Sequence, residues 1–419
     1  MMKITSIEKF VLDIPFRNKR VERHMHRANT HGERVNVWRV NTNNGIVGYG
    51  EGEGNEAKIA NIIGQNPFKF LNDDSLGQGI QMALYDAAGK AEEVPAYRLL
   101  GQKVREYCPI SWWAIDMPPE DWVEEAKTAI RLGYMSFKLK ARPWRDIFAQ
   151  IEILSQYLPQ GFTLDIDFNG FLLNSGNAIP VLQKLEQNEH VAIFETPIPQ
   201  WDVDGYKQIR NKIAKPISIH FGSPPIMTAL KENVCDGFVI GGTVTNVKRQ
   251  ATIAAMANKP FWLQMVGTGI MTAFTVHLGA VLSHAYWPAI TCHELWKDDL
   301  LKERLEVKDG YIQVPEKPGL GVEIDEAALE RYQVDPQSKT PKEKYLQKRR
   351  VLKIQWPPRT GQKEGLVRYF TSETDYQREF YSGNMPVFVR GVKMEVIEDD
   401  GSPTFNNLYK LAKAEKREC

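Results

Sequence analysis

The chain has 419 residues, a length that suits two domains better than one. Hydrophobic residues make up 42% and charged residues 25%, the balance of a globular protein, and a formal net charge of +1 excludes a nucleic-acid binder that relies on bulk charge. No apolar run approaches the roughly 20 residues of a membrane span, and Cys108, Cys235, Cys292 and Cys419 lack disulfide or metal spacing.

The opening stretch MMKITSIEKFVLDIPF alternates like a strand and lacks a basic segment followed by an apolar core. No secretory signal is expected, and the expected location is cytoplasmic. VNVWRVNTNNGIVGYGEG reads as two strands joined by a turn at Asn43–Gly45. LGQGIQMALYDAAGKAEEVPAYRLLG follows as an apolar-periodic helix ending before Pro95. Residues 1–107 are therefore expected to form an α+β unit.

From Cys108 the rhythm changes. Eight short apolar stretches recur, CPISWWAI, SFKLKA, FTLDIDF, VAIFETP, KPISIHF, DGFVIGG, KPFWLQM and AITCHE, with helical patterns such as PEDWVEEAKTAIRLG and VKRQATIAAMAN between them. Alternating strands and helices imply a parallel sheet. Eight units imply a TIM-type barrel over 108–300, with its site at the C-terminal strand ends. Residues 301–335 are expected to return to the N-terminal unit. Beyond them KTPKEKYLQKRR reads as a solvated basic run, and VLKIQW, GLVRYF and VFVRGVKMEVI read as strands. The stretch 336–419 is thus expected to be an appended, largely β extension.

The chemistry is sought at the strand ends. Lys138 and Lys140 are two apart on one strand, so alternation sends both to the same face. Two ammonium groups side by side in a closed space are costly unless something needs them. The next strand carries Asp165, Asp167 and Asn169 on one face, the one after ends at Glu195, and the one after that ends at His220. One strand–helix unit separates each of these steps. Two carboxylates and an imidazole converging at the mouth make a divalent-metal site. An anionic substrate held between that cation and the ammonium groups would explain the lysines.

FKLK, DIDFNG, FETP and a polar residue after KPISI, in that order, resemble the enolase superfamily, and more closely its mandelate racemase and muconate lactonizing enzyme group. GIVGYGEG, MALYDAAGKAEEVPAYRLLG, TGIMTAFTVHLGAVL and PGLGVEID follow the same pattern, so the resemblance covers roughly 1–330. It implies a (β/α)7β barrel with an α+β capping domain. It also implies abstraction of a proton α to a carboxylate, with Lys140 as base and Lys138 as its carboxylate-binding neighbour. Asp167, Glu195 and His220 take the metal-ligand positions, and Asn169 a substrate contact. Magnesium is the metal that the resemblance implies, whereas the imidazole of His220 brings in manganese, iron, nickel or zinc. Glu294 in CHELW falls where the group often has a catalytic glutamate.

Two departures bear on the reaction. His220 stands where the group usually has an acid. Strand six ends at Ile240–Gly242 and strand seven offers Gln264, where a second lysine or an Asp–His pair is common. Racemisation, which needs a proton donor on each face, is disfavoured. Dehydration of a sugar acid to a 2-keto-3-deoxy acid is the expected reaction. Cycloisomerisation or epimerisation, and a non-catalytic homologue that binds an acidic ligand, are the alternatives. The segment Arg17–Arg34, rich in Arg and Lys and carrying His24, His26 and His31, falls at the group's specificity loop and predicts a cationic lid over an acidic substrate. His24, His26, Trp112 and Gln264 are candidate substrate contacts. The expected partner is a small carboxylate, with no nucleic acid or membrane, and a homo-oligomer is expected.

Overall fold

The computed structural model describes residues 1–28, 30–358 and 363–414. Three antiparallel strands begin it, β1 (Ile4–Asp13), β2 (Arg34–Thr42) and β3 (Val47–Glu51), in the order β1-β2-β3. The helix Gln78–Ala91 lies against this sheet. Small residues let it approach: a Cβ on Gly48 would stand 2.1 Å from the carbonyl oxygen of Ala83. A larger residue there would push helix and sheet apart.

β4 (Tyr107–Pro109) belongs to a small sheet completed later in the chain. The barrel then runs through β5 (Trp112–Ala114), β6 (Ser136–Lys140), β7 (Thr163–Asp167), β8 (Val191–Glu195), β9 (Ile217–His220), β10 (Gly237–Ile240) and β11 (Phe261–Leu263). These seven strands pair in parallel, each with its neighbour in sequence, and helices separate them. The eighth stretch read from the sequence is not a regular strand. Ala289 and Ile290 nevertheless bridge to Ile110 at one edge of the sheet and to Gln264 at the other, so the ring closes through this short segment. Trp262, Phe137, Leu139, Ile166 and Phe194 are fully buried in the barrel.

β12 (Val307–Lys308) and β13 (Tyr311–Gln313) complete the small sheet with β4. The chain then comes back to the N-terminal unit. Gln333 bridges Leu12, and the helix Glu326–Tyr332 packs on β1. Cap and barrel are also joined by a buried carboxylate. Glu51, at the end of β3, accepts hydrogen bonds from the backbone N–H of Thr268 (2.7 Å), the Thr268 hydroxyl (2.8 Å) and the Met271 N–H (3.0 Å). It thereby satisfies the N-terminus of the barrel helix Gly269–Val281, whose first amides have no partner within the helix.

The extension holds the antiparallel sheet read from its pattern: β14 (Arg350–Gln355), β15 (Val367–Phe370) and β16 (Lys393–Glu398), ordered β15-β14-β16. Among the described residues it also holds three helices. The basic run read as solvated contains the helix Pro341–Leu346, started by a reciprocal capping box between Thr340 and Glu343. Glu373–Tyr381 starts on Ser372 and buries Tyr376 and Phe380, one turn apart, against Trp144 and Phe171 of the barrel. Pro403–Ala414 covers β14 and β15. Among the described residues no helix is long and apolar enough to cross a membrane.

Candidate active site

Strand register brings the charged residues together. Lys138 pairs with Asp165, Lys140 with Asp167, and Asp167 with Glu195, across three adjacent parallel strands. Paired residues share a face, and here that face is the barrel interior. The Lys140 ammonium lies 2.5 Å from Asp167 Oδ2, and Lys138 Nζ lies 3.7 Å from the same oxygen and against Glu195 Oε2. Asp167 and Glu195 are wholly buried, and the Lys138 side chain is 1% exposed. Charges this deep are tolerable only because they are paired.

The pairs perturb one another. Burial alone would raise Asp167, but Lys140 and Lys138 hold its carboxyl well below the usual range. Burial alone would lower Lys138, yet Glu195 and Asp167 raise it above the ordinary lysine value. Lys140 goes the other way: burial pulls it down, Asp167 opposes, and Lys138 adds to the lowering. Of the two lysines, Lys140 is therefore the easier to deprotonate, as a general base must be. Asp165 sits one layer deeper, and burial pushes it up to about 7 against the pull of Lys138.

The neighbours hold this arrangement. Asn169 has φ +46°, a left-handed conformation that Asn adopts more readily than most residues. Its N–H donates to Asp167 Oδ1 (2.9 Å), and its Oδ1 accepts from Arg142 (2.9 Å) and Lys140 (3.3 Å). Gln264 Oε1 accepts from Lys138 (2.7 Å), and the Trp262 ring lies 5.0 Å from the same ammonium. Gln264 and His220 line a cavity of about 240 Å³ with Phe221, Val239, Gly241, Gly242 and Gln250.

The donors for a metal are only partly gathered. His220 Nε2 is 3.3 Å from Glu195 Oε1, and both Glu195 oxygens, although buried, lack a hydrogen bond of good geometry. A buried carboxylate in that condition suits a cation. Among the described residues, however, no three His, Cys, Asp or Glu side chains stand close enough to hold an ion as they are. The two ammonium groups provide the compensating charge instead. Asp167 and Glu195 have the oxygen-donor chemistry that a divalent ion requires; His220 stands beside Glu195, its side chain 43% exposed.

Other expectations fare differently. Glu294 is held by Arg304 (3.3 Å) and lies 3.5 Å from His293, so its contacts lead away from the lysine pair. The residue of that segment under the field of the lysines is Cys292, whose thiol burial pushes up to about 12 against the pull of Lys138 and Lys140. Trp112 is buried, with its ring under the Arg17 guanidinium and its N–H donating to Glu125 (3.2 Å), which makes it a packing residue.

The segment Arg17–Arg34 is not a free cationic lid. In its helix Lys19–Arg27, the exposed Lys19 pairs with Glu22 of the same turn, and the other basic residues pair with acids outside the helix. Arg17 and Arg20 pair with Glu125, Arg23 and His24 with Asp121, Arg27 with Asp116 and Glu373, His26 with Glu33, and Arg34 with Asp13. His24 and His26 are buried in these pairs rather than presented to a ligand. The histidine of this segment that reaches the site is His31, which the pattern of the sequence did not single out. Its ring meets Trp113 edge-on at 5.5 Å.

Residues 121–328 match the family model described as enolase C-terminal domain-like. An N-succinyl-L-Arg/Lys racemase of Bacillus cereus is 26% identical over 371 residues, covering 80% of this chain and 98% of the racemase. A D-xylonate dehydratase of Haloferax volcanii is 26% identical over 71% of this chain and 85% of its own. The crystal structure of the Bacillus cereus N-succinyl Arg/Lys racemase superposes with a TM-score of 0.67 at 24% identity, over 80% of this chain and 98% of that one, a likeness of fold. The ordered Lys138, Lys140, Asp167 and Glu195 on successive barrel strands and these matches lead to one conclusion: residues 121–328 are an enolase C-terminal domain-like unit of the enolase superfamily, and the chain is similar to the mandelate racemase and muconate lactonizing enzyme-like group.

Proposed function

We propose that this protein removes the proton α to a carboxylate, with Lys140 as the base, and that the overall reaction is dehydration of a sugar acid to a 2-keto-3-deoxy acid. The observation that carries the reading is one-sidedness. Ionisable groups crowd the ends of β6 to β8, whereas β10 runs into Gly241 and Gly242, and Gln264 after β11 is neutral and bonded to Lys138. A site with a base on one face suits elimination better than racemisation. The curated relatives include acid-sugar dehydratases, racemases and cycloisomerases, so the class of reaction has precedent on either reading.

The steps assigned to this chain follow from its charges. Lys138 and Lys140 attract the substrate carboxylate into the barrel mouth. Lys140, lowered by burial and by Lys138, takes the α-proton on Nζ and, once protonated, returns it to the departing β-hydroxyl, so that water leaves and the resulting enol tautomerises to the 2-keto acid. Lys138 keeps its proton and neutralises negative charge building on the carboxylate. Asn169 and Arg142 fix the Asp167–Lys140 geometry. Asp167 and Glu195, with His220, are the residues that would hold a divalent ion, which supplies positive charge beside the substrate carboxylate when bound. Magnesium is the family's usual ion, and an imidazole ligand favours manganese, iron, nickel or zinc.

The test is incubation with D-xylonate, D-gluconate, arabinonate, N-succinyl amino acids and muconate in heavy water. A keto acid from an aldonate, lost in Lys140→Ala, supports the proposal. Deuterium at the α-carbon of a recovered N-succinyl amino acid would favour the isomerase reading, and no turnover or exchange with any acid would overturn both. Elemental analysis of the wild type and of Asp167→Ala and His220→Ala then reads the ion. Loss in both variants makes His220 a ligand; loss in Asp167→Ala alone leaves it outside.

A further inference from the structure

Seven of the eight histidines have a polar partner. His24 and His26 bind carboxylates, and His190 and His277 bond to backbone carbonyls. His284 bonds to Asn258 and Ser283, His293 to Tyr134 and Thr291, and His220 contacts Glu195. The imidazole of His31 makes no hydrogen bond or ion pair among the described residues. It is also half-buried, closely surrounded yet still open to water. An amphoteric ring that the protein leaves unpaired keeps both of its nitrogens available to a ligand.

Its place is the site already described. Trp113, which its ring touches, pairs in register with Lys138, so the two share the barrel face. Burial first, then the ammonium groups of Lys140, Lys342 and Lys138, push the imidazole down to about 4. The ring is therefore neutral at pH 7, with one N–H donor and one acceptor nitrogen. That pair matches a hydroxyl, which both donates and accepts, better than it matches a carboxylate, which only accepts.

The backbone that carries His31 is held from outside the cap. Lys342, in the first helix of the extension, donates to the carbonyl oxygens of Thr30 and His31, the latter at 3.1 Å. Trp296 donates to Gly32 O (3.2 Å). The Bacillus cereus racemase uses nearly its whole length to cover 80% of this chain, which leaves a stretch about as long as 336–419 without a counterpart in it.

We infer that His31 is a substrate-contacting residue that binds a hydroxyl of a polyhydroxylated carboxylate standing between it and the two lysines, and that Lys342 of the C-terminal extension is its positioning residue. This rests on the proposed acid-sugar reading and adds the polar contact on the cap side and the part that fixes it.

The test is carbethoxylation of individual histidines by diethyl pyrocarbonate, followed by mass spectrometry on the full-length protein, which reads the ring whether or not turnover occurs. His31 is expected to react at least tenfold faster than His24, His26, His277 and His293. D-Xylonate or D-gluconate is expected to slow it severalfold without slowing His284. N-Succinyl-lysine, which has no hydroxyl, is expected to protect it less. Lys342→Ala should weaken the protection, leave the melting curve and the His284 rate unchanged, and be restored by Lys342→Arg. A His31 rate as slow as that of the bonded histidines, or no protection by any aldonate, overturns the inference. If an aldonate is dehydrated yet leaves His31 unprotected, only this inference falls. If His31 is protected while no acid is turned over or exchanged, the contact stands and the proposed reaction falls. Loss of protection in Lys342→Ala that Lys342→Arg does not restore overturns the positioning role alone.

Discussion

The two halves of the barrel mouth differ in kind. On the side of β6 to β8, two ammonium groups and two carboxylates neutralise one another in a closed space, each perturbed by the rest. On the side of β10 and β11 the strand ends are backbone, glycine and an amide. The bare half is also hard to refill, because a Cβ on Gly241 would stand 2.5 Å from Gln264 O. Charged groups are thus gathered on one side, and close backbone packing at Gly241 leaves no room for a side chain on the other.

Variants can break this contrast in decreasing order of effect. Lys140→Ala removes the base from the charged half. Proton exchange at the α-carbon, followed by deuterium incorporation, should fall by roughly 10²–10⁴-fold. Asp167→Ala leaves two ammonium groups facing one carboxylate in the interior. It should destabilise the fold by about 3–5 kcal/mol in urea unfolding, the usual effect of breaking a buried pair.

The helix behind the bare half supplies a pH effect. His277 is buried on Gly269–Val281 and bonds to Leu320 O (3.0 Å). Burial pushes its imidazole down to about 4, with that hydrogen bond opposing. The unfolded chain binds a proton near pH 6.5, whereas the folded one does not until about 4. Its contribution is therefore complete above pH 6.5 and falls away as the pH drops towards 4, by about 3 kcal/mol in all. His277→Gln should flatten that part of the stability–pH curve. The smallest effect is expected from Gln264→Leu, which removes the Lys138 partner on the bare side. A loss of about 1.5–3 kcal/mol in denaturant unfolding would show that the amide serves the charged half, and no change would show that it does not.

Much of the charged half was legible in the sequence because two periods coincide there. Lys138 and Lys140 share a face by the strand period, and Asp167, Glu195 and His220 recur once per strand–helix unit. Parallel pairing without crossovers turned that spacing into proximity. The lid was less legible. Arg17–Arg34 reads as cationic, yet Arg17, Arg20, Arg23 and Arg27 meet their acids far along the chain, at Glu125, Asp121, Asp116 and Glu373, so local composition gave the wrong field. The sequence pattern pointed to His24 and His26 over His31, and their partners Asp121 and Glu33 are what set those two apart. Glu294 and Cys292 are two residues apart, yet Cys292 lies in the field of Lys138 and Lys140 while Glu294 pairs with Arg304, a split that nothing local in the sequence marks. In the extension, Thr340 and Glu343 carried a capping signal that the basic composition concealed.

The Glu51 carboxylate has a consequence for how the molecule can be rebuilt. One side chain of the cap terminates a helix of the barrel, so the two halves are not interchangeable parts. A barrel given the cap of a relative would begin that helix with bare amides unless the donor brought its own acid to the same corner. Exchange of specificity between members of this architecture would then best be attempted on the segment around His31, leaving the seam at Thr268 intact.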